Sequence, residues 1–344
     1  MSKRFYYSGA IHIHSLNSDG TGNIESISKA AAKAGLSYII ITDHNYFDTE
    51  EGYYNGVCVI KGEEISPKNS ANHYVSFGIK EYIIPDTNPK TNIENVKKQG
   101  GFGFAAHPDE SDCRKSKNEP IKWVDKTLDV DGIEIWNWFS DWADSYDESN
   151  IFKIAYGYLF REKLITGANQ KTLEWWDKIN NEKANIVPAI GGVDSHALKI
   201  SKYIIPVTIF PYLYTFKTVI NTIITKKPLP EKFEDRKQII LNAIKKGSNI
   251  IINRKTHSKD FCIIKIHNET TEAFCGDCIN LDDNTFLDLQ IAVNAEIQIL
   301  LNGKEYCKAN GKIFSQKLTE KGKYRVQAFY KGKPCIYSNP ILVI

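Results

Sequence analysis

The sequence predicts an α/β protein in which a barrel of parallel βα units, residues 1–250, precedes a small β-sandwich, residues 251–344. Three observations predict it. Apolar strand-like runs alternate with amphipathic helical runs, and six of the strand-like runs deliver a histidine or a carboxylate at their carboxyl end. Groups gathered from the ends of successive parallel strands are the layout of a βα barrel. Near Gly247 the texture changes to short apolar runs parted by Asn-Gly, Lys-Gly and Asp-Asp turns, the spacing of a sandwich.

In chain order, the first run carries His12 and His14 two residues apart, which on a strand turns both imidazoles to one face. Asp19 follows on a Ser-Asp-Gly turn. A helix from about Asn23 to Ala34 stops at Gly35, and a second run, Tyr38 to Ile41, delivers Asp43 and His44. The run Val57 to Ser66 carries Glu63 and Glu64, one carboxylate facing inward and its neighbour outward. His73 opens the next strand, where it lines the same pocket or simply packs. A helix over 89–99 leads to the small-residue strand ending in His107-Pro108. A helix around Ile121 to Leu128 precedes a strand with Glu134 and Asn137, and an amphipathic helix around Thr172 to Asn181 precedes one ending in Asp194 and His196. A lone histidine is most often a satisfied core or surface residue. Repeated delivery of neutral imidazoles beside carboxylates is instead the donor set of a divalent transition metal.

With 44 basic and 41 acidic residues, a net charge of +3 calls for neither a nucleic-acid polymer nor an anionic membrane as partner. No run approaches the ~18 apolar residues of a spanning helix. The amino terminus lacks an apolar signal region, and seven scattered cysteines suit reduced thiols, so a cytoplasmic location is expected. Cys275-Gly-Asp-Cys278 has redox or zinc spacing but no second pair to complete a site.

His12-x-His14, Asp19, Thr42-Asp43-His44, Gly62-Glu63-Glu64-Ile65, Ala106-His107-Pro108 and Gly192-Val193-Asp194-Ser195-His196, in that order over residues 5–200, resemble the motifs of the PHP (polymerase and histidinol phosphatase) superfamily. The C-terminal region more loosely resembles the carbaryl hydrolase-like branch, in which an immunoglobulin-like domain follows. The resemblance implies a distorted (β/α)7 TIM-like barrel with two or three divalent ions, Zn, Mn or Fe. It places one metal on His12, His14, Glu64 and Asp194, a second on Glu64 as bridge and His107, and a third on Asp19, His44 and His196. No histidine follows Asp131 to Asn137, which leaves Glu134, Asn137 and Asp141 as candidates there.

The activity so implied is hydrolysis of a small phosphate ester, a phosphomonoester or nucleotide, by water activated between two cations. Asp43 and His73 are the candidates for orienting ligands or moving a proton, and Arg114 and Glu134 for contacting substrate. The same centre suits a carboxylic ester or carbamate, and a metal-stabilised binding module is the non-enzymatic alternative. No expected ligand lies beyond His196, so the tail is expected to be dispensable for the chemistry.

Overall fold

A computed structural model describes residues 3–68, 71–108, 122–145, 156–200 and 207–344. The chain runs β1 (Phe5–Ile11), α1 (Ile24–Lys33), β2 (Tyr38–Ile41), β3 (Gly52–Tyr54), β4 (Val57–Ile65), β5 (Tyr74–Phe77), α2 (Pro89–Lys98), β6 (Phe102–Ala105), β7 (Gly132–Asn137), α3 (Trp138–Ser145) and β8 (Ala189–Gly192). Helices Gln170–Glu182 and Phe233–Lys246 flank β8 and the strands that follow it. These strands are β9 (Lys199–Ile200), β10 (Val207–Thr208), β11 (Val219–Thr225) and β12 (Asn249–Asn253).

The architecture is mixed α/β around one large sheet, and the expected closed parallel barrel is not formed. β1, β2 and β4 run parallel, as do β6, β7 and β8, but β5 is antiparallel to both β4 and β6. Link length explains this. Only eight residues join Ile65 to Tyr74, too few for the crossover of a dozen or more that a parallel return needs. No ladder joins β8 to β1; beyond their ends they meet in an isolated bridge between Ile13 and Ser195. β1 pairs instead with antiparallel β11, and β11 with β12.

Local sequence sets the helix ends. The Asn23 side chain accepts from Ser26 N–H to cap α1, and Asn88 caps α2 ahead of Pro89 at its first turn. The helix expected around Ile121 to Leu128 is absent from 122–128. There Asn72 Oδ1 accepts from Val124 N–H and Asp125 Oδ1 from Thr127 N–H, so side chains take the bonds that a helix would make.

Beyond Asn253 every described element is a strand: β13 (Ile263–His267), β14 (Glu272–Phe274), β15 (Cys278–Ile279), β16 (Phe286–Leu301), β17 (Lys304–Lys317), β18 (Gly322–Tyr330), β19 (Lys333–Ser338) and β20 (Ile341–Val343). They join the N-terminal sheet directly, since β19 pairs with β12 at Ile250↔Ser338 to Ile252↔Ile336. One apolar core runs from Ile13, Ile39 and Val193 through Ile252 to Ile297 and Val326. Arg325 grips Asp177 with two bonds of 2.7 Å and lies over Trp176, clamping these strands to helix Gln170–Glu182. Among the described residues no helix is long and apolar enough to cross a membrane.

Candidate metal centre

The loops leaving β1, β2, β6 and β8, with the end of β4, bring the polar residues to one place. β1 stops at Ile11, and His12 takes a left-handed backbone with φ of 68°. His107 (φ 28°) and Asp194 (φ 47°) do likewise, so three of the converging side chains sit on sparsely populated backbone. The expected sharing of one face by His12 and His14 is thus reached by a kink rather than by strand alternation; their ring centroids lie 5.2 Å apart.

Glu64, fully buried, is the hub. Its Oε2 lies 2.9 Å from His12 Nε2, 3.3 Å from His14 Nε2 and 3.3 Å from His44 Nδ1, and its Oε1 lies 2.8 Å from His73 Nδ1 and 3.2 Å from His107 Nε2. Burial alone would raise its pKa, but the His44, His12 and His107 imidazoles outweigh burial and hold it well below the carboxylate range. Asp194 has its Oδ1 3.2 Å from His14 Nε2 and 3.5 Å from His196 Nδ1, and is likewise depressed against its burial by His12, His14 and His196. Asp19, half exposed, stands 3.2 Å from His196 Nε2 and 3.7 Å from His44 Nε2; burial raises its pKa, but His196 and its neighbours bring it down to about 2.

Four overlapping sets have donor atoms close enough to share an ion: His14, Asp19, His44 and His196; His12, Glu64 and His107; His12, His14 and Asp194; His44, Glu64 and His73. Among the described residues neither ring nitrogen of fully buried His14 has a hydrogen-bond partner, although carboxylate oxygens stand 3.2–3.5 Å away. Unbonded nitrogens packed among carboxylates, with His196 stacked at 4.1 Å and His44 at 4.4 Å, fit divalent cations.

The structure gathers all eight expected ligands: His12, His14, Asp19, His44, Glu64, His107, Asp194 and His196. His73 joins them against Glu64. Glu134 lies behind the gathered histidines, fully buried, with both oxygens spent on protein groups: its Oε1 is 2.8 Å from His12 Nδ1, and its Oε2 accepts from His107 N–H at 2.8 Å and from Asn137 Nδ2 at 3.1 Å. A Cβ on Gly192 would fall 1.6 Å from Glu134 Oε1, so only glycine leaves this contact open. Asp43 is committed elsewhere, accepting from Ser15 N–H (2.6 Å), Ser15 Oγ (2.7 Å) and Ser18 Oγ (2.7 Å), which ties down the turn carrying Asp19. Asp141 binds the Thr166–Gly167 backbone rather than the ligands. Arg114 lies outside the described residues. Sequence reasoning missed Tyr212, whose hydroxyl donates to His14 O at 2.8 Å and accepts from Gly22 N–H at 3.0 Å; its only signal is one aromatic in a proline-broken apolar run.

The PHP domain family model matches residues 10–274, well over half of the chain. The chain belongs to the PHP domain family. This PHP domain protein is therefore of the metal-dependent hydrolase type, and its histidine, aspartate and glutamate clusters are the candidate metal sites. Among curated proteins it is 29% identical over 126 residues to the uncharacterized protein MJ1587 of Methanocaldococcus jannaschii, covering 35% of this chain and 68% of that one. Among solved structures it is similar to a two-domain protein from Bacteroides vulgatus containing a predicted PHP-like metal-dependent phosphoesterase, at 14% identity and a TM-score of 0.49, covering 98% of this chain and 95% of that one. It also resembles an amidohydrolase from Chromobacterium violaceum, at 13% identity and a TM-score of 0.33, over 55% of this chain and 87% of that one.

Proposed function

We propose that the PHP domain hydrolyses a small phosphate ester, a phosphomonoester or nucleotide, using two or three divalent ions such as Zn, Mn or Fe. The observation that carries this is Glu64, a buried carboxylate whose two oxygens face five imidazoles from different directions. Divalent ions supply a water acidic enough to attack phosphorus at neutral pH and neutralise charge on the phosphoryl oxygens. His12, His14, Glu64 and Asp194 would hold one ion; Glu64 and His107 a second; Asp19, His44 and His196 a third, with His73 held against Glu64 between the last two. Glu134 fixes the His12 tautomer by accepting from Nδ1, which leaves Nε2 as the ligand atom. Asp43 keeps Asp19 in place through the Ser15–Ser18 turn.

In this reading residues 1–250 carry the ligands and residues 251–344 form a supporting β-sandwich. All six described cysteines are unpaired, in keeping with a cytoplasmic setting. Cys275 is buried while Cys278 is exposed, which argues against a dithiol pair. The test is metal analysis of chelator-free protein followed by a panel of aryl phosphates, nucleotides and carboxyl esters with added Mn or Zn. Phosphate esters should be cleaved, with activity lost to chelator and restored by metal. Cleavage of carboxyl esters alone would overturn the reading.

A further inference from the structure

One buried hydroxyl joins two of the loops that carry the expected ligands. Tyr212 opens the short helix Tyr212–Thr215, and its Oη stands among four backbone groups: His14 O at 2.8 Å, Gly22 N at 3.0 Å, Thr21 N at 3.1 Å and His196 O at 3.2 Å. A phenol has one proton and two acceptor positions. It donates to His14 O, the nearer carbonyl, and accepts from Thr21 and Gly22 N–H, while His196 O is met by Thr21 N–H at 2.9 Å. Burial pushes the phenol up to about 12 against the pull of these two donors, so at neutral pH the proton stays in place.

The helix that carries Tyr212 is itself tied to the loop leaving β8. Thr215 Oγ1 gives its proton to Tyr212 O at 3.0 Å and accepts from Ser195 Oγ at 2.7 Å. On the other side the ring packs on the Asp19 turn, where a Cβ on Gly22 would fall 2.6 Å from Tyr212 Cε2. That turn closes on the same point: Leu16 N–H donates to Gly22 O at 2.9 Å, and Thr21 Oγ1 to Ala197 O at 2.6 Å. Asp19 and His196, 3.2 Å apart, thus stand on two loops joined at Tyr212 and Thr21. Asp19 is half exposed, so its carboxylate is placed by its turn more than by packing. Glu64 is placed instead by the β4–β5 ladder, opposite Val75, and His14 keeps a second backbone tie from its N–H to Ser195 O at 3.0 Å.

We infer that Tyr212 is a positioning residue for the third ion: its hydroxyl locks the Asp19 turn to the His196 loop and so sets the distance between two of that ion's ligands. The inference rests on the metal reading of the centre and is independent of which ester is cleaved.

The test is stepwise binding of Zn to the chelator-stripped full chain, followed with a competing chelator. Asp19→Asn should lose the step that belongs to the third ion, and so identifies it. In Tyr212→Phe that step should weaken by about 10–100-fold, the scale for a group that orients a metal ligand, while the remaining steps stay within about twofold of wild type. Thr21→Val removes the bond to Ala197 O from the other side of the junction and should weaken the same step; it decides the matter where Tyr212→Phe does not fold. In an Asp19→Asn background, Tyr212→Phe should change none of the steps that remain. Uniform weakening of every step, with a matching fall in the melting temperature of the metal-free chain, would show that Tyr212 serves the fold alone and overturns the inference. A third step unmoved in both variants overturns it too and leaves the metal reading standing. If Asp19→Asn removes no step, the third ligand set is itself wrong and the inference falls with it.

Discussion

Glu134 Oε1 stands 2.8 Å from His12 Nδ1, both side chains fully buried, and the same carboxylate accepts the backbone N–H of His107. One buried residue thus orients two of the proposed ligands, His12 after β1 and His107 after β6. Glu134→Ala should weaken metal affinity by about 10–100-fold, the usual effect of removing a carboxylate behind a ligating histidine. Titration with Zn or Mn against a competing chelator measures this. An affinity unchanged from wild type would show that Glu134 only fills space.

Glu64→Gln should hurt more than the loss of any one ligand outside the first set. The amide nearly keeps the side chain's size but removes the negative charge shared by five imidazoles, so bound ions should loosen together. His107→Ala should chiefly weaken the second ion and His44→Ala the third, since each offers one nitrogen. Metal content per chain, measured beside turnover in the three variants, separates these patterns. Full content with near-normal turnover in Glu64→Gln would mean that Glu64 is not the bridge.

Much of the centre was legible because its ligands close strands, and a histidine beside a carboxylate at a strand end is a local pattern. His44 beside Asp43 and His196 two residues after Asp194 announce themselves this way, and His107 ahead of Pro108 closes a strand likewise. The supporting roles do not announce themselves. Glu134 stands out in the sequence as a candidate ligand or substrate contact, but its place behind His12 depends on the missing side chain of Gly192 on the neighbouring strand. Tyr212 reaches His14 from nearly two hundred residues away. The direction of β5 was legible in principle from the eight-residue link before it, whereas the pairing of β12 with β19 depends on chain returning from the far end and leaves no local trace.

Glu63 predicts a pH dependence of stability. Burial pushes its carboxyl up to about 8, only partly offset by the bond it accepts from Ile83 N–H at 3.0 Å. The folded state therefore holds this proton more tightly than the unfolded state, whose carboxyl titrates near 4.5. The contribution is full below about 4.5 and is lost as pH rises through about 8. Glu63→Gln keeps an acceptor for Ile83 without the titration, so melting temperature at saturating metal should fall less between pH 5.5 and 8.5 in the variant. Equal slopes in the two proteins would remove Glu63 as the cause.

Tyr337 on β19 links the C-terminal strands to the loop 166–169, one wall of a cavity of about 190 Å³ that is also lined by His107 and Asn137, and this changes what is expected of the tail. Its hydroxyl accepts from Ala168 N–H at 3.2 Å, and its ring meets Trp136 edge-on at 5.8 Å. A Cβ on Gly167 (φ 100°) would lie 2.6 Å from that hydroxyl and 2.9 Å from Pro334, so the wall presses directly on β19. Nearby, Lys333 Nζ donates to Lys163 O and Ile165 O, each at 2.8 Å. The tail supplies no ligand, yet it fixes the loop whose other side is held by Asp141. Tyr337→Phe leaves the Ala168 N–H without this acceptor, at about 1–3 kcal/mol where water cannot replace it. Tyr337 is thus a positioning residue. In the variant, KM should rise severalfold for substrates that fill the cavity, while kcat and metal content stay near wild type. Removing everything after residue 250 should do more, because the cut passes through β12, takes Ile251 and Ile252 away with β19, and leaves the buried apolar edge of β11 open. A truncated chain that stays monomeric and keeps its KM would restore the expectation that the tail is dispensable; a soluble Tyr337→Phe protein with unchanged KM would remove the clamp alone.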